Sequence, residues 1–249
     1  MPGLSTHLAR FLVAIAIAFV AGGAGAQDTF SLVAIDRERG EVVSAGASCL
    51  DDAVVPGGAA VVSTVLPSVG ALHTQSYYAA GNQSRGRALM LAGLTARATV
   101  DSLVADDVAL TPELRQYLAV DLGPAGTAAA AFTGAACAPY AGQYVSSDLV
   151  IAGNILLDSL VIARMRDAFR ATQDRGGRLA ECALAALQAV AYPGADRRCL
   201  DDGVSSRSAF LRLARPGDAP DDLTLDLVVP RAVEGRDPID VLAERFGGS

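Results

Sequence analysis

The chain has 249 residues, is 51% hydrophobic and carries a formal charge of −7. That charge argues against nucleic acid or an anionic membrane surface as a partner, and the hydrophobic content suits one large domain with its own core. All 20 basic residues are arginine, so no mechanism here can use a lysine base or Schiff base.

Residues 1–26 read as a secretory signal. Arg10 is the only charge, Phe11 to Val20 is an unbroken apolar run, and Ala24-Gly25-Ala26 is a small-residue cleavage site. The run is too short to cross a hydrocarbon core of about 30 Å. The expectation is an exported protein, periplasmic or extracellular, with no membrane contact after signal removal. A single domain is expected over 27–249.

Phe30 to Ile35 is nearly all apolar and β-rich, as in a strand buried on both faces. A polar turn ending in Gly40 leads to a second strand, Glu41 to Ser48, which completes a hairpin. Ala59 to Val65 and Val69 to Gln75 read as short strands. From Ser84 the pattern turns helical; Gly93 separates a first helix from a second, and Thr95 is placed to cap the second. Gln116 to Leu122 and Thr127 to Phe132 flank Gly123-Pro124-Ala125-Gly126 and read as another hairpin.

Val161, Met165, Ala168 and Phe169 form one helical stripe, and Leu179, Cys182, Ala183, Ala186, Leu187 and Val190 form a second. Gly176-Gly177 is the break between them. Ser208 to Leu213 and Thr224 to Val229 are late strands, and Pro238 to Phe246 is a closing helix. This order predicts an α+β domain with antiparallel, hairpin-built sheets.

Four cysteines, Cys49, Cys137, Cys182 and Cys199, allow three disulfide pairings in an exported chain. The 17-residue spacing favours Cys182 with Cys199, which leaves Cys49 with Cys137. No zinc-type spacing exists, and His73 is the only histidine after the signal. A Ser-His-Asp hydrolase would have to be built on it, and no Gly-x-Ser-x-Gly elbow occurs.

Six segments together resemble the DUF1028 family: "TFSLVAIDRERGEVVSAGAS" (29–48), "GALHTQSYY" (70–78), "LMLAGLTARATVDSLVADD" (89–107), "QYLAVDLGPAGTAAAAFTGAACAPYAGQ" (116–143), "IAGNILL" (151–157) and "GADRRC…GVSSRSAFLRLARP" (194–216). That resemblance implies an N-terminal-nucleophile (Ntn) hydrolase-like fold, a four-layer αββα sandwich of antiparallel sheets. It also implies an amidohydrolase whose first residue attacks an amide carbonyl while its own α-amine acts as base. Thr29 is the matching nucleophile. The departure lies just ahead of it, because cleavage after Ala26 leaves Gln27 and Asp28 in front of Thr29 and turns its amine into an amide.

The remaining candidates follow from position. Asp36, at the end of the first strand, would orient the amine or bind substrate. Asn154, with backbone N–H groups, would form an oxyanion hole. Ser48 ends the second strand near the same edge of the hairpin. His73, Thr74 and Gln75 form a polar strand end suited to ligand contacts. Thr133 and Gly134 close a strand, and Arg198 could clamp a carboxylate. The expected substrate is a small or peptide-like amide, with no metal and no cofactor. A non-catalytic ligand-binding protein on the same sandwich stays open, as does a homo-oligomer.

Overall fold

The computed structural model describes residues 29–123 and 129–248. The signal segment, Gln27, Asp28 and most of the Gly123-to-Gly126 turn lie outside them.

β1 (Phe30–Asp36) and β2 (Glu41–Ser48) form the predicted hairpin, paired in register from Phe30↔Ala47 to Asp36↔Glu41. Gly40 takes the left-handed step of the turn, φ +65°. The strand expected at Ala59 to Val65 divides. Gly58–Val62 is a 3-10 turn, and only β3 (Ser63–Leu66) extends. Gly57 and Gly58 both have positive φ, which winds the chain before it can straighten. β4 (Gly70–Gln75) follows.

α1 (Ala80–Leu91) and α2 (Ala96–Ala105) are separated by Gly93 at φ +87°, and the Thr95 hydroxyl accepts from the Ala98 N–H at 3.2 Å, as a cap should. β5 (Gln116–Asp121) and β6 (Ala129–Thr133) pair as expected. A hairpin that local pattern did not announce comes next, β7 (Gly142–Val145) and β8 (Leu149–Gly153). α3 (Leu160–Asp174), α4 (Leu179–Gln188), β9 (Ser208–Ala214), β10 (Leu225–Val229) and α5 (Pro238–Gly247) complete the described chain.

The strands make two antiparallel sheets, of order β10-β9-β2-β1-β8-β7 and β3-β4-β5-β6. Three apolar clusters show how the layers meet. Phe30, Leu32, Val43, Ile151 and Leu211 of the larger sheet pack on Phe169, Leu187 and Leu242 of α3, α4 and α5. Val33, Val42 and Val150 meet Ala71, Leu118 and Val120 between the two sheets. Leu72, Tyr117 and Ala119 of the smaller sheet pack on Met90, Val100 and Leu103 of α1 and α2. β1 is thus buried on both faces, which is why its sequence is continuously apolar instead of alternating. Among the described residues no helix is long and apolar enough to cross a membrane.

The disulfide expectation is corrected. The bridge joins Cys49 to Cys199 across 150 residues, with Cα atoms 5.7 Å apart. Cys182 lies buried on the apolar stripe of α4 among helix and sheet side chains, and burial pushes its thiol up to about 11. Cys49 follows β2, and there the Asp196 carboxylate accepts its N–H at 2.8 Å and brings the Cys199 loop alongside.

Candidate functional site

The two faces of β1 differ in chemistry at its leading end. Phe30, Leu32 and Ala34 face the helices, whereas Val33 and Ile35 face the second sheet. Alternation therefore turns Ser31, and Thr29 just ahead of the strand, into the space between the sheets. Phe30 stands opposite Ala47 on one side and Gly153 on the other. One residue earlier, Thr29 falls between Ser48 and Asn154. Three of the predicted site residues are thus cross-strand neighbours.

Thr29 is only 1% exposed. Ser48, Leu50, Val55 and the Gly58–Val62 turn enclose a crevice of ≈160 Å³ against it, with no part wide enough for a water molecule. A larger cleft, ≈1010 Å³ by the same measure, lies beside Asp51, Asp202, Arg207 and Arg231 and shares no lining residue with that crevice.

Behind Thr29 runs a buried polar chain between the sheets, and its proton order is determined. The two protons of Gln116 Nε2 are shared among three acceptors, the Gly142 and Gly153 carbonyls, both at 3.1 Å, and Thr133 Oγ1 at 2.9 Å. Two carbonyl acceptors leave only one orientation for this amide. Gln116 Oε1 then accepts from Gln75 Nε2 at 2.7 Å and Asn154 Nδ2 at 3.2 Å. Gln75 Nε2 also donates to the Thr29 carbonyl at 3.2 Å, so Gln75 Oε1 must take the Ser31 hydroxyl proton, at 2.6 Å.

Ser31 has one proton and has spent it. It accepts from His73 Nδ1 at 2.9 Å. Burial, with help from the Arg212 charge, lowers the His73 pKa from 6.5 to about 3 and keeps the ring neutral. His73 Nε2 is therefore the acceptor for Ser44 at 2.6 Å, and Ser44 accepts from Ser63 at 2.7 Å. His73 has no carboxylate partner in this chain of bonds. It keys the two sheets together and is not set up as a triad base.

The neutral, fully buried histidine implies a pH dependence of stability. Its folded pKa lies below its unfolded value, so its contribution is complete above pH 6.5 and is lost as pH falls towards about 3. The loss at pH 5 is about 2 kcal/mol. His73 is the only histidine among the described residues, so the urea midpoint should fall between pH 7.5 and 5. That slope should vanish in His73→Gln. A wild-type midpoint unchanged over this range would refute the assignment.

At the other edge, Arg198 is held by Asp196, with Nε to Oδ1 at 3.0 Å and a second N–H to Oδ2 at 2.7 Å, and it reaches Ser48 Oγ at 3.4 Å. The Cys49–Cys199 bridge fastens this loop to β2 one residue beyond Ser48. Ser48, Asn154, Gln75, His73, Thr133 and Arg198 therefore gather around or behind Thr29.

Three predicted residues stand elsewhere. Asp36 ends β1, about 23 Å from Thr29 by strand rise. There it accepts from the Arg39 N–H at 3.0 Å and pairs with its guanidinium at 2.7 Å. Burial opposes ionisation of Asp36, but these bonds outweigh it and lower its pKa. Thr74 lies on the opposite face of β4 from His73 and Gln75, and its buried hydroxyl has no partner among the described residues. Gly134 serves packing, since a Cβ there would stand 2.2 Å from the Glu113 carbonyl oxygen. Conversely, Ser31, Gln116 and Asp196 escaped sequence reasoning. Counting by twos from Thr29 would have found Ser31, and Gln116 carries the same signal as Gln75, an amide at the polar end of an apolar strand.

Comparison with known proteins agrees with the fold. The model of DUF1028, a family of unknown function, matches residues 29–241 and so starts at Thr29. A DUF1028 protein from Silicibacter pomeroyi has a crystal structure similar to this one, with a TM-score of 0.69 and 23% identity. The likeness covers 89% of this chain and 88% of that one, and at this identity it speaks for the fold alone. No curated protein matches. The chain belongs to the DUF1028 family.

Proposed function

We propose that this chain is an exported amidohydrolase of the Ntn type, with Thr29 as nucleophile, acting on a small or peptide-like amide. In this reading the two facing sheets and their outer helices are the four-layer αββα sandwich of that superfamily. The observation that carries it is the placement of Thr29. It heads the central strand β1, faces the space between the sheets, and sits between Ser48 and Asn154. The bridge between Cys49 and Cys199 fits an oxidising compartment.

The chemistry balances on one residue. Thr29 Oγ attacks the substrate carbonyl while the α-amine, with an ordinary pKa of about 7.7–8.0, takes the hydroxyl proton. That proton passes to the leaving amine as the C–N bond breaks and an ester to Thr29 forms. Water then attacks the ester and restores the hydroxyl. No metal or cofactor enters these steps. In the uncut chain the Thr29 nitrogen is an amide and its crevice is too narrow for a water molecule. Activity therefore requires a cut between Asp28 and Thr29, which frees the amine and removes what precedes it.

The narrowness of the crevice favours the second reading, a non-catalytic ligand-binding protein. One experiment separates the two. The chain has no lysine, so an amine reagent labels only its N-terminus. Secreted protein should label on Thr29 and hydrolyse members of a panel of aminoacyl anilides. Thr29→Ala should lose at least on the order of 10³-fold in rate, and Thr29→Ser should keep most of it. Secreted protein that begins at Gln27, or a fully active Thr29→Ala variant, refutes the enzyme reading.

A further inference from the structure

One atom of the polar chain is left over. Asn154 is fully buried, and its Oδ1 has no hydrogen-bond partner among the described residues. The amide orientation is not arbitrary. Gln116 is locked by two glycine carbonyls, its Oε1 calls for a donor, and Asn154 Nδ2 supplies it at 3.2 Å. The unpartnered atom is therefore an acceptor. A buried acceptor without a partner is costly and uncommon in folded chains, and a backbone at φ +49° in Ile155, a β-branched residue, holds the turn that follows it.

What Oδ1 can accept from is decided by its neighbour. The β1–β8 register ends at Phe30↔Gly153, and one step further sets Asn154 beside Thr29; its bond to Gln116 places it on the face that Thr29 also uses. Cross-strand neighbours on one face have Cβ atoms about 4.5–5.5 Å apart. An oxyanion needs a donor, so Oδ1 does not serve one. An ammonium at the head of β1 has three N–H donors, where the uncut chain has a single amide N–H. We infer that Asn154 Oδ1 is the acceptor that positions the α-amine of Thr29 once the chain begins there, an assignment that rests on the proposed use of Thr29. Asn154 is then a positioning residue for the base. It holds the nitrogen on the side of the hydroxyl whose proton it removes.

An acceptor bound to the ammonium favours the charged form, so its removal lowers the amine pKa and a carboxylate in its place raises it. The absence of lysine makes that pKa directly measurable from the pH dependence of amine labelling on the secreted protein. Asn154→Ala should shift the midpoint down by on the order of one unit, and Asn154→Asp should shift it up. Thr133→Ala, which disturbs the same network without touching the amine, should leave it in place. Near-UV circular dichroism checks that each variant is folded. If the alanine variant is not, the aspartate variant, of the same shape, decides alone. Protein that begins upstream of Thr29 overturns both this assignment and the enzyme reading. Protein that begins at Thr29 with the same midpoint in the Asn154 variants overturns the Asn154 assignment only, as does a weaker substrate KM with an unmoved midpoint.

Discussion

Replacing Cys49 with Ser is expected to cost about 5 kcal/mol of stability. The bridge closes a loop of 150 residues, and the chain-entropy relation for a loop of that length gives about 5 kcal/mol, at the top of the range for native disulfides. Domains are stable by about 5–15 kcal/mol in total, so the loss is a large share of the whole. It is localised in consequence as well as large. The bridge ties the end of β2, beside Ser48 and Thr29, to the loop that carries Asp196 and Arg198. Without it, the Asp196 bond to the Cys49 N–H and the reach of Arg198 to Ser48 are left to hold that loop against β2, beside the ladder to β9. Urea unfolding under oxidising conditions checks this. Cys199→Ser should match Cys49→Ser, and the double variant should lose no more than either. Cys182→Ala should cost far less, because it removes one buried sulfur and no cross-link. A Cys49→Ser protein within about 1 kcal/mol of wild type would refute the estimate.

That pairing also marks where sequence stops being informative. Spacing along the chain favours Cys182 with Cys199, but Cys182 is committed to a helix stripe whose apolar face has nowhere else to go. Local patterns were legible wherever one residue's neighbours decide its fate: the β1–β2 hairpin, the caps of α2, the helix pair around Gly176, and β9 and β10. β8 was not. Leu149 to Gly153 is a short apolar run, and its identity as the partner of β1 comes from residues about 120 positions away. Without β8, nothing in the local pattern ties Asn154 to Thr29. In the structure α3 starts only at Leu160, and Asn154 belongs to the head of the central strands. Asp36 shows the opposite error. Its proximity in sequence to Thr29 suggested partnership, but a seven-residue strand carries it to the far end of the sheet. The polar chain from Ser63 to Asn154 draws on β1 to β5 and the ends of β6 and β8, so no window of sequence contains it.

Arg115→Ala should destabilise the fold by about 3–5 kcal/mol, the usual cost of stranding one partner of a buried ion pair. Asp107 has a fully buried side chain and Arg115 one that is 7% exposed, with Nε to Oδ2 at 2.9 Å. Asn82 Nδ2 donates to Asp107 Oδ2 at 2.5 Å, the Tyr117 hydroxyl does so at 3.0 Å, and the Ala109 and Thr111 N–H groups bond Oδ1. Burial works against ionisation of Asp107, but Arg115 and these donors outweigh it and hold the carboxyl far below the usual range. Its contribution is therefore complete above the ordinary carboxylate pKa of about 4 and is lost only as pH falls below it. In Arg115→Ala burial has lost its main opponent, and the Asp107 pKa should rise. Unfolding midpoints of wild type and Arg115→Ala at pH 7 test the size. A cost below about 1 kcal/mol would refute the buried-pair account. The effect reaches the candidate site through backbone. Arg115 donates to the carbonyl of Tyr77, which with Ser76 has positive φ just after Gln75, and its own carbonyl accepts from the Gly134 N–H just after Thr133. Gln75, Gln116 and Thr133 face the space between the sheets, and the ion pair on the opposite face fixes the ends of all three strands. Loss of Arg115 should therefore loosen the polar chain behind Thr29 before it unfolds the domain, and amide exchange at Gln75, Gln116 and Thr133 should rise first.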